Sequence, residues 1–232
     1  MKENVTAALN MMLEWFDKNG MKANPEKFQM ILFKKKNDYC DEFIEIKNMT
    51  IVNQPCIKLL GVHVDSTLNF NVHISEICRK AGYKLNVLAR LSRTLNQESK
   101  TMLFHSFIMA LFNYCAVVWH FCDLQNAKCI EKLQFRALRY IFNDFKSSYE
   151  CLRAKASKSL VYVQRLRHVL TEVYKSVNGL GPSYMTNMFV QKIIKYDTRN
   201  ALCLKIPRCN TVKYGLNSFS YQGAKLWNSL KN

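Results

Sequence analysis

Between Lys100 and Asp123 the chain runs for twenty-two residues without an Asp, Glu, Lys or Arg. Such a stretch is long enough to cross a bilayer, and equally suited to the central helix of a bundle. It holds Leu103, Phe104, Phe107, Ala110, Leu111, Tyr114, Val118 and Trp119, and Asn96 stands ahead of it as an N-cap. Ser99, Ser106, Asn113 and His120 recur every seven residues, which places a polar stripe on one side of a continuous helix. A bundle helix with one less buried side accommodates that stripe. A helix facing lipid gains nothing from it, so a membrane anchor over residues 101–122 is the less favoured alternative.

The flanks of this run are strongly basic. The 232 residues include 34 Lys+Arg against 17 Asp+Glu, a formal net charge of +17. Residues 1–70 hold nine of each sign, so the whole excess lies after Phe70. A neutral first third and a cationic remainder point to a polyanionic partner for the second part. Hydrophobic content of 49% with only 7 Gly and 4 Pro excludes a linker-like or disordered chain. The nine cysteines are odd in number, and Met1–Asn10 shows no charged region followed by an apolar stretch. The expectation is reduced, mostly buried thiols in an intracellular protein, nuclear or cytoplasmic.

Hydrophobic periodicity divides the chain at the same place as charge. Val5, Ala8, Leu9, Met12, Leu13 and Phe16 predict a helix over 4–17, stopped at Lys18-Asn19-Gly20. After the Asn24-Pro25 turn, Phe28–Phe33 reads as a short buried strand, followed by a polar turn at Lys34–Asp38. Phe43–Ile46, Ile51-Val52 and Lys58–Asp65 add further strands, making a helix packed on a small antiparallel sheet. Beyond Phe70 the period becomes helical. On residues 72–93, Ile74, Ile77, Cys78, Ala81, Leu85, Leu88 and Ala89 fall in one arc of roughly 120°. His73, Arg79, Lys80, Lys84, Arg90 and Arg93 fall outside it. A third helix over 126–142 sets Lys128, Lys132, Arg136 and Arg139 against Ile130, Leu133, Ala137 and Ile141. A loop at 144–148, a helix over 160–177 ended by Gly179–Pro182, and a strand- and turn-like tail with a short helix near 224–230 complete the reading. The expected fold class is α+β.

Few residues offer chemistry of their own. Cys115, Cys122 and Cys129, with His120 nearby, are spaced by seven. On a helix that separates consecutive thiols by roughly 10 Å along the axis, too far for one metal ion. Asp41-Glu42 and Asp65 read as solvated carboxylates without the further partners a two-cation site needs. No Gly-rich phosphate loop and no Cys/His nucleophile pair is recognisable. What remains is two basic helix faces, Arg79, Lys80, Lys84 and Arg90 on one and Lys128, Lys132, Arg136 and Arg139 on the other. Lining one groove, they would bind phosphates without regard to sequence; the alternative is two separate solvated faces.

An ordered series of blocks resembles the end of a reverse transcriptase, most similar to the non-LTR, LINE-type, jockey-like retrotransposon enzymes. The blocks are Asn24–Phe33; Lys58-Leu59-Leu60-Gly61-Val62-His63-Val64-Asp65; Leu68-Asn69-Phe70 with His73-Ile74; and Phe112-Asn113-Tyr114-Cys115 with Val118-Trp119. Leu133-Gln134, Arg136-Ala137-Leu138-Arg139 and Asn143-Asp144 follow. The last block is Ile206-Pro207-Arg208, Ser218-Phe219-Ser220-Tyr221 and Gly223-Ala224-Lys225-Leu226-Trp227-Asn228. The resemblance implies a late palm with a primer-gripping hairpin over 1–70, a thumb over 71–145 and the trailing carboxyl-terminal region over 146–232. It matches Lys27 to a lysine that assists proton transfer to pyrophosphate, and places Gly61 and His63 at the hairpin. It also implies a departure. The family's catalytic aspartates belong to motifs absent from this sequence, which has no Tyr/Phe-x-Asp-Asp. Magnesium would then enter only with a palm supplied from elsewhere. The expectation is a carboxyl-terminal fragment, inactive alone, whose partner is RNA–DNA or duplex nucleic acid and which takes no small-molecule substrate; the alternatives are the membrane anchor over 101–122 and an inert retroelement relic.

Overall fold

The computed structural model describes residues 2–33, 42–46, 49–157, 159–192 and 203–230. The fold is mixed α+β, and the chain divides into two compact units, Met1–His73 and Ile74–Asn232.

In the first unit, α1 (Lys2–Lys18) ends at Gly20, which takes the left-handed φ of 67° that stops the helix. Leu13 is buried, with Leu9 and Phe16 half-buried, against Ile44 and Ile46. Val5, Ala8 and Met12, expected on the same face, lie exposed beside Met11 and Trp15. The reason is the size of what α1 packs on. Strands β1 (Phe43–Ile46) and β2 (Met49–Val52) form a hairpin four residues long, with Ile44 opposite Ile51, and it covers only one side of the helix.

The strand expected over Phe28–Phe33 is reduced to one parallel bridge between Met30 and Asn53. Gln54 N donates to Met30 O, and Leu32 N donates to the Asn53 side chain. The pairing begins where β2 has already ended, so no ladder extends. The turn expected over Lys34–Asp38, and Asp41, lie outside the described residues. The strand expected over Lys58–Asp65 is a second hairpin, β3 (Cys56–Leu59) against β4 (Val62–Asp65), with Leu59 opposite Val62. Its two-residue loop, Leu60-Gly61, has φ of 46° and 87°, the paired positive angles that match the twist of a tight hairpin.

Asp65 is not the solvated carboxylate expected. It accepts from Thr67 N, Thr67 Oγ1 (2.6 Å), Asn69 N and Phe70 N (2.7 Å), and so organises a turn in which Leu68 and Phe70 both take positive φ. A short carboxylate can accept from several converging donors, and here it redirects the chain into α2 (Asn71–Leu91).

In the second unit, α2 buries Ile74, Ile77, Ala81, Leu85 and Leu88 of the expected arc and leaves Cys78 and Ala89 half-buried; His73, expected outside the arc, is buried as well. The uncharged run is not one helix. It consists of the end of α3 (Gln97–Leu103), a π-helical turn at Phe104–Met109, α4 (Ala110–Asn113) and α5 (Ala116–Trp119). Cys115, at φ 48°, reverses the chain between the last two, and Trp119 Nε1 donates across the break to Tyr114 O at 3.0 Å. Among the described residues no helix is long and apolar enough to cross a membrane. The polar stripe dissolves with the continuous helix. Ser106 and Asn113 are exposed, Ser99 is half-buried and His120 is buried.

α6 (Leu124–Phe142) starts at Asp123, which caps Asn126 N, and ends at Asn143 in the left-handed region. It packs on α3, on α7 (Tyr149–Lys155) and on α8 (Val161–Val177). α7, which periodicity did not reveal, is started by the Ser148 side chain on Cys151 N. After α9 (Ser183–Thr186), the final helix α10 (Phe219–Ser229) begins five residues ahead of its expected start, because Ser218 caps Tyr221 N. α10 lies on α8 through Val173, Phe189, Leu204 and Ala224. Gly223 permits the approach, since a Cβ there would stand 2.8 Å from Val173 Cγ2. Asn228 holds Leu204 by both backbone groups, at 2.8 and 2.9 Å.

The thiols are not mostly buried as expected. Cys115, Cys129 and Cys151 are exposed and the other five described cysteines half-buried. Cys115 sits at a surface chain reversal, and Cys129 lies outside the buried stripe of α6.

The Asp65 turn yields the first prediction. Its hydrogen bonds hold the Asp65 carboxyl below its ordinary value against the opposing effect of burial. The stabilisation is therefore complete above the unfolded value and lost as pH falls through the lower folded one. Asp65→Ala should cost about 2 kcal/mol at neutral pH, and the gap from the parent should narrow below about pH 4. Urea unfolding at a series of pH values measures both.

Candidate nucleic-acid interface

The expected site residues fall into the two units. In the first, Gly61 is exposed at the tip of the β3–β4 hairpin. His63 lies on β4, half-buried, its backbone N–H directed to His73 Nδ1 at 3.4 Å. Lys27 ends a single 3-10 turn, Pro25–Lys27, and is exposed. The turn is set by Asn24, whose side chain accepts from Glu26 N at 3.0 Å. Leu60, next to Gly61, is 83% exposed. A branched residue in the left-handed region is strained, and nothing buries this one in return.

In the second unit the cations of α2 form two lines, not one face. Arg79 and Arg90, eleven positions apart, share one line; Lys80 and Lys84, four apart, lie about 100° round the helix. Glu76 binds Arg79 through both carboxylate oxygens, at 2.8 and 2.9 Å, and reaches Lys80 at 3.3 Å. The two cations hold the Glu76 carboxyl down to about 2, against some desolvation. Arg79 also stacks over Tyr83. Lys84 donates to Phe107 O and lies over the Phe107 ring, on the lip of an apolar groove of about 230 Å³ formed with Val87, Leu91 and Leu103. Arg90 is exposed and has no ion pair among the described residues.

On α6, Lys128, Lys132 and Arg136 lie exposed on one line opposite buried Ile130, Ala137 and Ile141. Neither lysine has an ion pair among the described residues. Among the described residues Arg136 reaches only Asn86 of α2, at 3.5 Å. Arg139 leaves that line. It is half-buried and stacks on Phe135 at 4.1 Å. The α2 and α6 helices thus touch where Arg136 meets Asn86, and Arg90, Lys128, Lys132 and Arg136 have no ion pair among the described residues.

The residue that sets these helices was not singled out in the sequence. Lys100, only 2% exposed, donates through Nζ to Ser92 O at 3.3 Å and to Tyr140 O at 3.1 Å. Ser92 follows the last residue of α2, and Tyr140 lies in the last turn of α6. Carbonyls at helix ends lack intrahelical donors and carry the negative pole of the helix, so one ammonium serves both ends. Burial pulls the Lys100 amine below the ordinary lysine value. The available signal was its place as the last charge before an apolar run, where a lysine tends to be tied down.

Four carboxylates are committed elsewhere. Asp144 binds Lys155 at 2.9 Å together with the Ser147 hydroxyl and backbone, which hold its carboxyl far below the usual range. Glu131 accepts from the Tyr149 hydroxyl and from Tyr162 N. Glu76 and Asp65 are engaged as described. Among the described residues no three His, Cys, Asp or Glu side chains converge. No family model, curated protein or solved structure matches the chain.

Two outcomes follow from this geometry. Lys100→Met should lower stability by about 2 kcal/mol, because it leaves two helix-end carbonyls without their donor; the urea midpoint reads it, and an unchanged midpoint would contradict the assigned role. Leu60→Gly should raise stability by about 0.5–1 kcal/mol by relieving left-handed strain at an exposed tip, measured the same way.

Proposed function

We propose that this chain is a nucleic-acid-gripping segment related to the late palm and thumb of a non-LTR retrotransposon reverse transcriptase, binding template–primer duplex without regard to sequence. The observation that supports it best is the set of four exposed cations with no ion pair among the described residues, Arg90, Lys128, Lys132 and Arg136, on two helices tied at their C-terminal ends by Lys100. Free cations on rigid helices suit phosphate contacts, each of which releases condensed counterions. The Leu60-Gly61 hairpin suits the same reading, since a tip with little side-chain bulk at Gly61 lets a strand approach the backbone. The sequence has no adjacent aspartate pair, and Asp65, Glu76, Glu131 and Asp144 are engaged by cations, hydroxyls and backbone. The proposed role is grip alone, with no polymerisation step assigned to this chain.

Salt dependence tests the reading. Binding of the full chain to a fluorescein-labelled RNA–DNA hybrid should weaken steeply between low and physiological salt. Changing Arg90, Lys128, Lys132 and Arg136 together to Gln should reduce the log–log salt slope by about 3–4, one for each phosphate that is no longer neutralised. Glu76→Gln should act oppositely and tighten binding, by releasing Arg79 and Lys80. Anisotropy titrations showing no binding at low salt, or a quadruple variant with the parent's slope, would reject the proposal.

A further inference from the structure

Arg165, on α8, is fully buried, and among the described residues none of its three guanidinium nitrogens meets an oxygen or nitrogen acceptor. Its Cζ lies 4.7 Å from the Trp119 ring centroid. Stacking covers the flat face of a guanidinium but leaves the in-plane N–H groups, which form its hydrogen bonds, unanswered. His120, next along from Trp119, is also buried, with both ring nitrogens unpartnered, and its ring packs on Tyr162 at 5.0 Å. Five polar nitrogens on two neighbouring side chains are therefore buried together without acceptors, a concentration native interiors avoid.

Among the described residues nothing supplies negative charge to this pair. No carboxylate among the described residues pairs with Arg165. The groups that feel its charge are Cys78, Cys122 and His120. Burial raises both thiols, Cys78 to about 11, and pulls His120 down to about 4, so all three are neutral at pH 7. The Cys122 thiol beside the guanidinium is a weak acceptor at best. Arginine cannot shed its proton, and an unneutralised buried cation is costly. Water would hydrate it without neutralising it.

We propose that Arg165 and His120 form an internal site for one monatomic anion of halide size, held by the guanidinium N–H groups and the imidazole N–H. Arg165 is fully buried, with the buried Val161 and Val169 one turn to either side on α8 and the Trp119 ring over its guanidinium. Among such neighbours a monatomic ion asks for the least room, less than phosphate or sulfate with their several oxygens. The site is independent of the exposed cations assigned to nucleic acid.

Trp119 reports on the site directly, because iodide quenches indole on contact. In the full chain carrying Trp15→Phe and Trp227→Phe, Trp119 is the sole tryptophan. Potassium iodide at constant ionic strength, balanced with potassium gluconate, should quench its emission along a saturating curve, and chloride should reverse the quenching competitively. Adding Arg165→Met should abolish saturation. Emission that is unaffected by iodide, or quenched only linearly, overturns the proposal without reference to any Arg165 variant. So does saturable quenching that survives Arg165→Met, which would place the bound ion elsewhere.

Discussion

The second unit depends on where the Lys100 ammonium lies. Two helices that end side by side bring two sets of unpaired carbonyls together, and like poles repel. A buried cation between Ser92 O and Tyr140 O turns that repulsion into a joint. It places the C-terminal ends of α2 and α6 at a fixed separation, and their outward cations follow. The basic surface is thus organised from below, by a lysine that itself contributes nothing to the exposed charge.

Acidic side chains divide the work differently from what charge counting implies. Of the α2 cations, Arg79 and Lys80 are shared by Glu76, and Lys84 is drawn onto Phe107. On α6, Arg139 lies on an aromatic ring. The formal net charge of +17 therefore overstates what a partner would meet on these helices. The field concentrates on the fewer cations that no carboxylate or ring among the described residues engages, which is where a polyanion would gain most from displacing its counterions.

Much of this was legible in the chain, and the exceptions have physical causes. The buried arc of α2 and the extent of α6 and α8 follow directly from apolar spacing, because helix packing rewards a continuous stripe. The two hairpins were harder. Lys58–Asp65 alternates well enough to read as one strand, and only the positive φ at Leu60 and Gly61 folds it back. The uncharged run misled most. Composition there is uniform, whereas the backbone includes a π-helical turn and a left-handed cysteine, neither of which leaves a periodic trace. At the candidate interface, the identities of the cations were readable. Their pairing was not, since it depends on where Glu76 and Phe107 fall in space. Arg165 gave no signal, because buried and solvated arginines look alike in a sequence.

The π-helical turn at Phe104–Met109 has a consequence for how this region tolerates change. Such a turn accommodates one residue more than an α-helical turn does, so loss of a single codon there would let the ladder close in ordinary α-helical register. Because the extra residue is absorbed within the turn, everything downstream would stay close to its present phase relative to α3. Phe112, now fully buried, and the reversal at Cys115 would keep their places. The same deletion in the regular turns of α2 or α6 would instead swing all that follows by about 100° and carry the buried stripe out of register.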